Sequence, residues 1–141
     1  MILRRYLIVA IMLAFIGIGQ LLAQVREIDA NIFYYDVLPK MTKPIVLDFW
    51  AEWCGPCKRY TPTFTSVARE YKTIADFFRV NIDKNEEWSS QWKIKSIPTT
   101  IVVYNKSGDF IKREGMLDDE ELRKIINNGV NSFKSDDEPY F

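Results

Sequence analysis

The stretch that decides the fold runs from residue 45 to residue 58 and reads IVLDFWAEWCGPCK. Its first half, residues 45–51, is a short and almost continuous apolar run, which is typical of a strand buried on both faces. Its second half holds two cysteines separated by Gly55 and Pro56. Proline in the first turn of a helix loses no hydrogen bond, because the first amide groups have no intrahelical partner. The stretch therefore predicts a buried strand that leads into a helix, with the cysteine pair at the junction.

A Cys-x-x-Cys pair at the start of a helix is suited to thiol–disulfide exchange. Unpaired amide groups and the helix dipole favour the thiolate of Cys54, which makes this residue the nucleophile. Cys57 follows about one turn later on the same side of the helix, so it can attack the mixed disulfide that Cys54 forms. The pair therefore predicts a cycle of attack by Cys54 and resolution by Cys57.

Composition leaves few other chemistries open. The 141 residues include two cysteines, no histidine and equal numbers of acidic and basic residues. These are too few ligands for a zinc site built from cysteine and histidine, and they exclude a histidine-based triad. The cysteine pair could also be two unrelated core residues. The flanking Trp53 and the preceding apolar strand make this interpretation less favourable. The charge balance gives no indication of nucleic-acid binding, and we expect neither a metal nor another cofactor.

Asp48 is the one charged residue of the apolar run. A carboxylate in a buried strand is costly unless it is protonated or paired, and burial raises the pKa of such a group. A carboxylate of this kind can accept the proton of Cys57 when that cysteine attacks. The alternative is a partly exposed acid at a strand end. The nearby cysteine pair favours proton transfer.

A helix is predicted before the buried strand. Over residues 29–38, apolar side chains recur at helical spacing at Ile32, Tyr35 and Leu38. Pro39 is expected to end this helix, because its ring and missing N–H group are not accommodated inside one.

The other elements follow in the order helix, strand, helix, strand, strand, helix. Their predicted ranges are 54–72, 77–82, 86–92, 99–104, 110–114 and from 118 onwards. Pro62 predicts a kink in the first of these helices, and Asp118 with Glu121 predicts a capping box at the last. The first two long strands, at residues 45–51 and 77–82, are expected to be parallel, and the last two strands to form an antiparallel hairpin. The predicted class is α/β, with a mixed central sheet and helices on both faces.

Residues 1–23 are expected to lie outside the folded domain. Arg4 and Arg5 precede an almost purely apolar run, and no acidic residue occurs in this part of the chain. The pattern is typical of an export signal that is cleaved before Gln24. The apolar stretch over residues 7–23 is slightly short for a bilayer span of ~20 residues. A retained membrane anchor and a buried core helix are the alternatives, and we expect an extracytoplasmic protein, periplasmic or held at the inner membrane.

The remaining residues, 24–141, are predicted to form one domain whose acidic tail is flexible from about residue 135. Over about residues 25–133 this domain resembles the thioredoxin family. Residues 46–58 match the family almost letter for letter. VNID at residues 80–83 resembles its third strand, and SIPT at residues 96–99 resembles its proline loop.

The resemblance implies a thioredoxin fold with a redox-active Cys54–Cys57 disulfide and Asp48 as the family's buried acid. The local sequence alone predicts that Pro98 is an ordinary proline at the start of a strand with a trans peptide bond, because cis X-Pro bonds are a minority. The resemblance instead implies that Pro98 is cis and packs against the disulfide. It further implies that the substrate chain binds in an apolar groove formed by Trp53, Gly55, Pro56, Ile97, Pro98 and Gly115.

Two residues depart from the family pattern. Arg79 stands where the family often has a lysine near the buried acid. Ser96 stands where a glycine precedes the family's Ile-Pro pair. Both departures are expected to affect proton transfer or contacts in the groove.

The sequence therefore predicts a monomeric, exported or membrane-tethered oxidoreductase that reduces disulfides of protein substrates. Gly55-Pro56 resembles the reducing members of the family. In an oxidising compartment such a protein stays oxidised and inactive unless its disulfide is reduced again. A membrane or reductase electron donor is therefore implied. A disulfide oxidase or isomerase is one alternative. A binding module that uses the groove without redox chemistry is another.

Overall fold

The computed structural model describes residues 25–136. The predicted signal or anchor at residues 1–23 and the end of the acidic tail at residues 137–141 lie outside the described residues. No helix within the described range is long and apolar enough to span a bilayer.

A mixed β-sheet forms the centre of the described domain. It has five strands in the order β1-β3-β2-β4-β5. β1 and β3 are parallel, as are β2 and β3, whereas β4 runs antiparallel to both β2 and β5. This confirms the predicted sheet. The strands are β1 (Arg26–Glu27), β2 (Ile45–Trp50), β3 (Asp76–Asn81), β4 (Thr99–Val103) and β5 (Phe110–Glu114). The two-residue β1 was not predicted, because it is too short to carry a periodic pattern.

Helices cover both faces of the sheet, as predicted. α1 and α3 pack on one face, and α2 and α4 pack on the other. Pro62 lies inside α2. The helices are α1 (Ile32–Val37), α2 (Gly55–Tyr71), α3 (Glu86–Gln91) and α4 (Asp119–Asp136), with 3-10 turns at Leu38–Lys40 and Ile82–Lys84.

The first helix differs from the prediction in its winding and in its buried face. α1 is a π-helix, and its one buried side chain is Phe33 rather than Tyr35, which is 77% exposed. The wider π turn does not follow the 3.6-residue period on which the predicted face rested. Pro39 also does not end the helical path, which continues as a 3-10 turn to Lys40. At the start of such a turn, the missing N–H group of proline leaves no bond unmade.

β2 is buried on both faces, as its apolar run predicts. Leu47 and Phe49 join the core under α1 and α3, and Val46 joins the core under α2 and α4. Side chains alternate along a strand, so Asp48 and Trp50 point to the same face as Val46. Asp48 therefore lies beneath α2, the helix that carries the cysteines.

The last helix begins with the predicted capping box. Asp118 Oδ1 accepts a hydrogen bond from the Glu121 N–H at 2.8 Å, and Glu121 Oε2 accepts one from the Asp118 N–H at 3.0 Å. Each side chain satisfies an amide group that has no partner within the helix. The helix continues to Asp136, so the chain is still helical at residue 135, where the loose tail was expected to begin.

Gly129 marks the closest approach of α4 to the sheet, and we predict that Gly129→Ala destabilises the protein. An ideal Cβ at this position lies 2.5 Å from Val102 Cγ1, and Val102 is fully buried. The better helix propensity of alanine is outweighed by this overlap, so the free energy of unfolding should fall by about 1–3 kcal/mol. Urea denaturation measures the change.

The neighbouring Asn128 is exposed on the same helix and supplies the matched control. Asn128→Ala should leave stability unchanged or slightly higher. The double variant Gly129→Ala/Val102→Ala should be more stable than the single variant Val102→Ala. Equal stability of Gly129→Ala and wild type contradicts the close approach.

Candidate active site

Cys54 is the N-cap of α2. Its N–H group donates to the Ala51 carbonyl at 3.2 Å, which closes the turn that leaves β2. Its Sγ accepts a hydrogen bond from the Cys57 N–H at 3.1 Å. The sulfur thus occupies the position where a capping oxygen usually sits, at the positive end of the helix dipole. The hydrogen bond from the Cys57 N–H and the helix dipole both favour negative charge on Cys54 Sγ in the reduced protein, which is the condition for a reactive thiolate.

The two cysteines form a disulfide across the first turn of α2. Their Cα atoms are 5.3 Å apart. Cys54 keeps 3% of its surface exposed, whereas Cys57 is completely covered. Gly55 and Pro56, which separate them, are exposed. An incoming sulfur therefore reaches Cys54 before Cys57.

The loop before β4 lies against the exposed side of the disulfide. Cys54 Sγ is 3.8 Å from the Ile97 carbonyl oxygen, and the Ile97–Pro98 peptide bond is cis. The cis bond agrees with the family resemblance and differs from the ordinary strand-start proline that the sequence alone predicts. The Pro98 carbonyl accepts a hydrogen bond from the Gly115 N–H at 2.8 Å. Gly115 has φ of +88°, a conformation that glycine adopts without strain.

Trp53 stands beside the cysteines as a large exposed side chain. It is 67% exposed, and its indole Nε1 donates to the Asp83 carboxylate, 2.9 Å from Oδ2 and 3.2 Å from Oδ1. An exposed ring held by a charged acceptor offers an apolar surface in a fixed orientation. Asp83 was not predictable as a site residue from the sequence, because only the fold brings it to the end of β2.

The predicted groove residues come together in the structure from three parts of the chain. Trp53 follows β2, Ile97 precedes β4 and Gly115 follows β5. Met116 is exposed next to Gly115 and adds an apolar side chain that was not predicted from the sequence. These positions are brought to one end of the sheet by strand order, which local sequence does not reveal.

Asp48 is fully buried beneath α2, as the apolar run around it indicates. Its Oδ2 accepts a hydrogen bond from Arg79 Nε at 3.0 Å, and Arg79 is its direct neighbour in β3. Its Oδ1 is buried without a hydrogen-bond partner among the described residues. Burial raises the pKa of Asp48 to about 6, and the attraction and hydrogen bond of Arg79 oppose that rise. A carboxyl group with this pKa exchanges protons near neutral pH.

Tyr60 completes the polar surroundings of Asp48. Its hydroxyl group lies 2.9 Å from Thr100 Oγ1, and Thr100 is the neighbour of Asp48 in β4. Burial raises the pKa of Tyr60 well above its usual range. Tyr60 is therefore neutral where Asp48 titrates, and Arg79 is the cation that acts on this carboxyl group.

A model of the thioredoxin family matches residues 24–128 of the chain. The chain belongs to the thioredoxin family. It is 32% identical to thioredoxin of Pseudomonas aeruginosa over 106 residues, which cover 75% of this chain and 95% of that protein. It is 35% identical to thioredoxin of Haemophilus influenzae over 88 residues, which cover 62% of this chain and 80% of that protein.

Other comparisons extend over different lengths. The match to thioredoxin of Rickettsia felis is 44% identical over 62 residues, covering 44% of this chain and 59% of that protein. Chloroplastic thioredoxin z has the same fold, with a TM-score of 0.66, 21% identity and coverage of 78% of this chain and 97% of that one. This thioredoxin is a thiol–disulfide oxidoreductase with a redox-active cysteine pair.

We predict that Asp48→Asn changes the pH dependence of stability in this thioredoxin. The pKa of Asp48 rises from 3.8 to about 6 on folding. Between about pH 4 and pH 6 the native protein therefore holds a proton that the unfolded chain has released, and stability falls as the pH rises through this window. Asp48→Asn has no carboxyl group at this position, so its stability does not fall in this way. Its stability relative to wild type should increase by up to ~3 kcal/mol from pH 4 to pH 7.

Urea denaturation of the oxidised proteins at several pH values measures the difference, because the disulfide-bonded cysteines do not titrate. Glu52→Gln, at an exposed position, is the matched control and should follow wild type. A constant difference between Asp48→Asn and wild type across pH contradicts the prediction.

Proposed function

We propose that this thioredoxin reduces disulfides of protein substrates outside the cytoplasm. The observation that carries the proposal is the placement of Cys54. Its sulfur caps α2, receives the Cys57 N–H and keeps the only exposed surface of the pair. A thiolate at that position is accessible to a substrate disulfide and is stabilised without a cofactor.

The first step is attack by the Cys54 thiolate on one sulfur of the substrate disulfide. A bond forms between Cys54 Sγ and that sulfur, and the substrate's own disulfide breaks. The second substrate sulfur leaves with the electron pair as a thiolate and takes a proton from solvent. The enzyme and the substrate are then joined by a mixed disulfide.

The second step is resolution by Cys57. Cys57 Sγ gives its proton to Asp48 and bonds to Cys54 Sγ, while the bond from Cys54 to the substrate breaks. The substrate sulfur leaves as a thiolate, so the substrate has gained two electrons and the enzyme holds the disulfide. Asp48 suits this role because it lies beneath α2, the helix that carries Cys57, and has an oxygen without a hydrogen-bond partner among the described residues. Its pKa of about 6 leaves it ionised and basic at neutral pH.

The surroundings of Cys54 support the reducing direction. Strong stabilisation of the reduced form makes a dithiol pair oxidising. Among the described residues, the Cys57 N–H donates the hydrogen bond to Cys54 Sγ, and the two residues between the cysteines are uncharged. Moderate stabilisation of this kind favours electron flow from the dithiol to the substrate.

The apolar border beside Cys54 supports a protein substrate. We define the substrate groove by Trp53, Ile97, Pro98, Gly115 and the exposed Met116. An extended chain that carries a disulfide can lie along these residues with its sulfur next to Cys54. Gly55 and Pro56 form the exposed rim on the helix side of the pair.

The N-terminal sequence supports a location across the inner membrane. Arg4 and Arg5 followed by an apolar run are typical of an export signal or an anchor. In an oxidising compartment the Cys54–Cys57 disulfide must be reduced again after each cycle. A membrane protein that passes electrons to this disulfide is the proposed donor.

We predict different outcomes for the two cysteine variants. Cys54→Ser should abolish reduction of a disulfide-bonded protein, because the attacking sulfur is lost. Cys57→Ser should still attack and should accumulate a mixed disulfide, because resolution is blocked. Non-reducing electrophoresis and mass spectrometry of the adducts measure both results.

Alkylation of the reduced wild type at mildly acidic pH provides the control for the assignment of roles. It should label Cys54 before Cys57, because the thiolate of Cys54 is the stabilised one. Earlier labelling of Cys57 reverses the assignment. An oxidised pair that does not react with reductant favours a binding module instead of a redox enzyme.

We also predict that residues 1–23 direct the chain across the inner membrane and are not needed for activity. Removing them should give a folded, active protein that stays in the cytoplasm. The full chain should be found on the far side of the membrane, either shortened to begin near Gln24 or held by its intact N-terminus. Cell fractionation and N-terminal sequencing distinguish these cases. Full-length protein in the cytoplasmic fraction contradicts the proposed location.

A further inference from the structure

Three contacts hold the guanidinium group of Arg79 in one place beneath α2. Nε donates to Asp48 Oδ2 at 3.0 Å, and Nη2 donates to Thr61 Oγ1 at 3.1 Å. The guanidinium carbon also lies 4.0 Å from the centre of the Trp50 ring. Because the group is planar and permanently charged, these contacts fix its orientation as well as its position.

Thr61 connects this cation to the resolving cysteine. Its hydroxyl group donates to the Cys57 carbonyl oxygen at 2.9 Å, one helical turn earlier. A hydroxyl group has a single proton to donate, so its lone pairs accept the hydrogen bond from Arg79. The hydrogen bonds thus form one directed chain from Arg79 through Thr61 to the backbone of Cys57.

The same arrangement makes the two oxygens of Asp48 different. Oδ2 is engaged by Arg79. Oδ1 is buried and has no hydrogen-bond partner among residues 25–136. The orientation of the guanidinium group therefore decides which carboxylate oxygen is open to a proton.

We propose that Thr61 is a positioning residue for the second step: its hydroxyl group holds Arg79 between Asp48 and the Cys57 turn, so that Asp48 Oδ2 is occupied and Oδ1 receives the proton. Thr61 touches neither the substrate nor a reacting atom, and it acts through Arg79. The inference rests on the proposed role of Asp48 as the proton acceptor.

Within residues 25–136, few other titratable groups act on Asp48. Arg79 faces it from β3, and Tyr60 faces it from α2 with a pKa that burial raises. β4 contributes the uncharged Thr100. The cysteine thiols of α2 titrate only in the reduced protein. A change at Thr61 therefore reaches the protonation of Asp48 through the position of the Arg79 charge.

Thr61→Val removes the hydroxyl group and keeps the side-chain shape. The guanidinium group loses one of its three contacts, and its attraction for the Asp48 carboxylate weakens. The pKa of Asp48 should rise by about one unit. Resolution of the mixed disulfide should then slow about fivefold at pH 6 and should approach the wild-type rate above pH 8, where Asp48 is ionised in both proteins. Thr61→Ser keeps the hydroxyl group and should behave as wild type.

Two measurements test the proposal. The carboxyl ¹³C chemical shift of Asp48 in the oxidised proteins gives its pKa directly, without interference from the thiols. The single-turnover decay of a preformed mixed disulfide, followed against pH, gives the rate of resolution. Equal Asp48 pKa values in Thr61→Val, Thr61→Ser and wild type overturn the proposal.

The Arg79→Lys background tests whether Thr61 acts through Arg79. A lysine cannot donate in the planar, two-directional manner of the guanidinium group. The shift caused by Thr61→Val should therefore largely disappear in this background. An undiminished shift means that Thr61 acts independently of Arg79, and it contradicts the inference.

Asp48→Asn separates this proposal from the one on which it rests. If Asp48→Asn resolves the mixed disulfide at the wild-type rate at every pH, Asp48 is not the proton acceptor and its proposed role fails. The carboxyl titrations still decide whether Thr61 and Arg79 set the protonation of Asp48.

Discussion

The hydrogen bond from the Cys57 N–H to Cys54 Sγ is the contact around which the site is built. It makes one sulfur the cap of α2, so the reactive group and the helix start are a single structural feature. β2 and the turn at Ala51 bring the chain to this point, and the loop at Ile97 covers one side of the sulfur. A helix that began one residue later would remove Cys54 from the N-cap position and weaken the interaction of its sulfur with the free amide groups.

The buried carboxyl group of Asp48 is the clearest conflict between stability and chemistry in the domain. An apolar residue at this central position of β2 avoids the desolvation of a charge. Asp48 instead has its pKa raised to about 6, with Arg79 as its counter-charge. The same burial that lowers stability at neutral pH prepares the group to accept a proton, so one physical cause gives both effects.

Much of the domain follows from local sequence, with identifiable exceptions. The buried β2, the helix after the cysteines and the capping box of Asp118 were predictable because each has a strong local pattern. The face of α1 was not predictable from a period of 3.6 residues, because that segment winds as a π-helix and buries Phe33. The cis bond before Pro98 was predictable only from the family resemblance, because the local sequence favours the trans form.

The sequence by itself determined the chemical groups: a cysteine pair at a strand–helix junction and one carboxyl group in an apolar strand. Tertiary structure decided their partners. Arg79 meets Asp48 through the parallel register of β3, and Asp83 meets Trp53 across 30 positions of sequence. Thr61 joins this group because α2 crosses over the same strands. Such contacts depend on strand order and helix placement, which arise from burial of the whole core rather than from any local pattern.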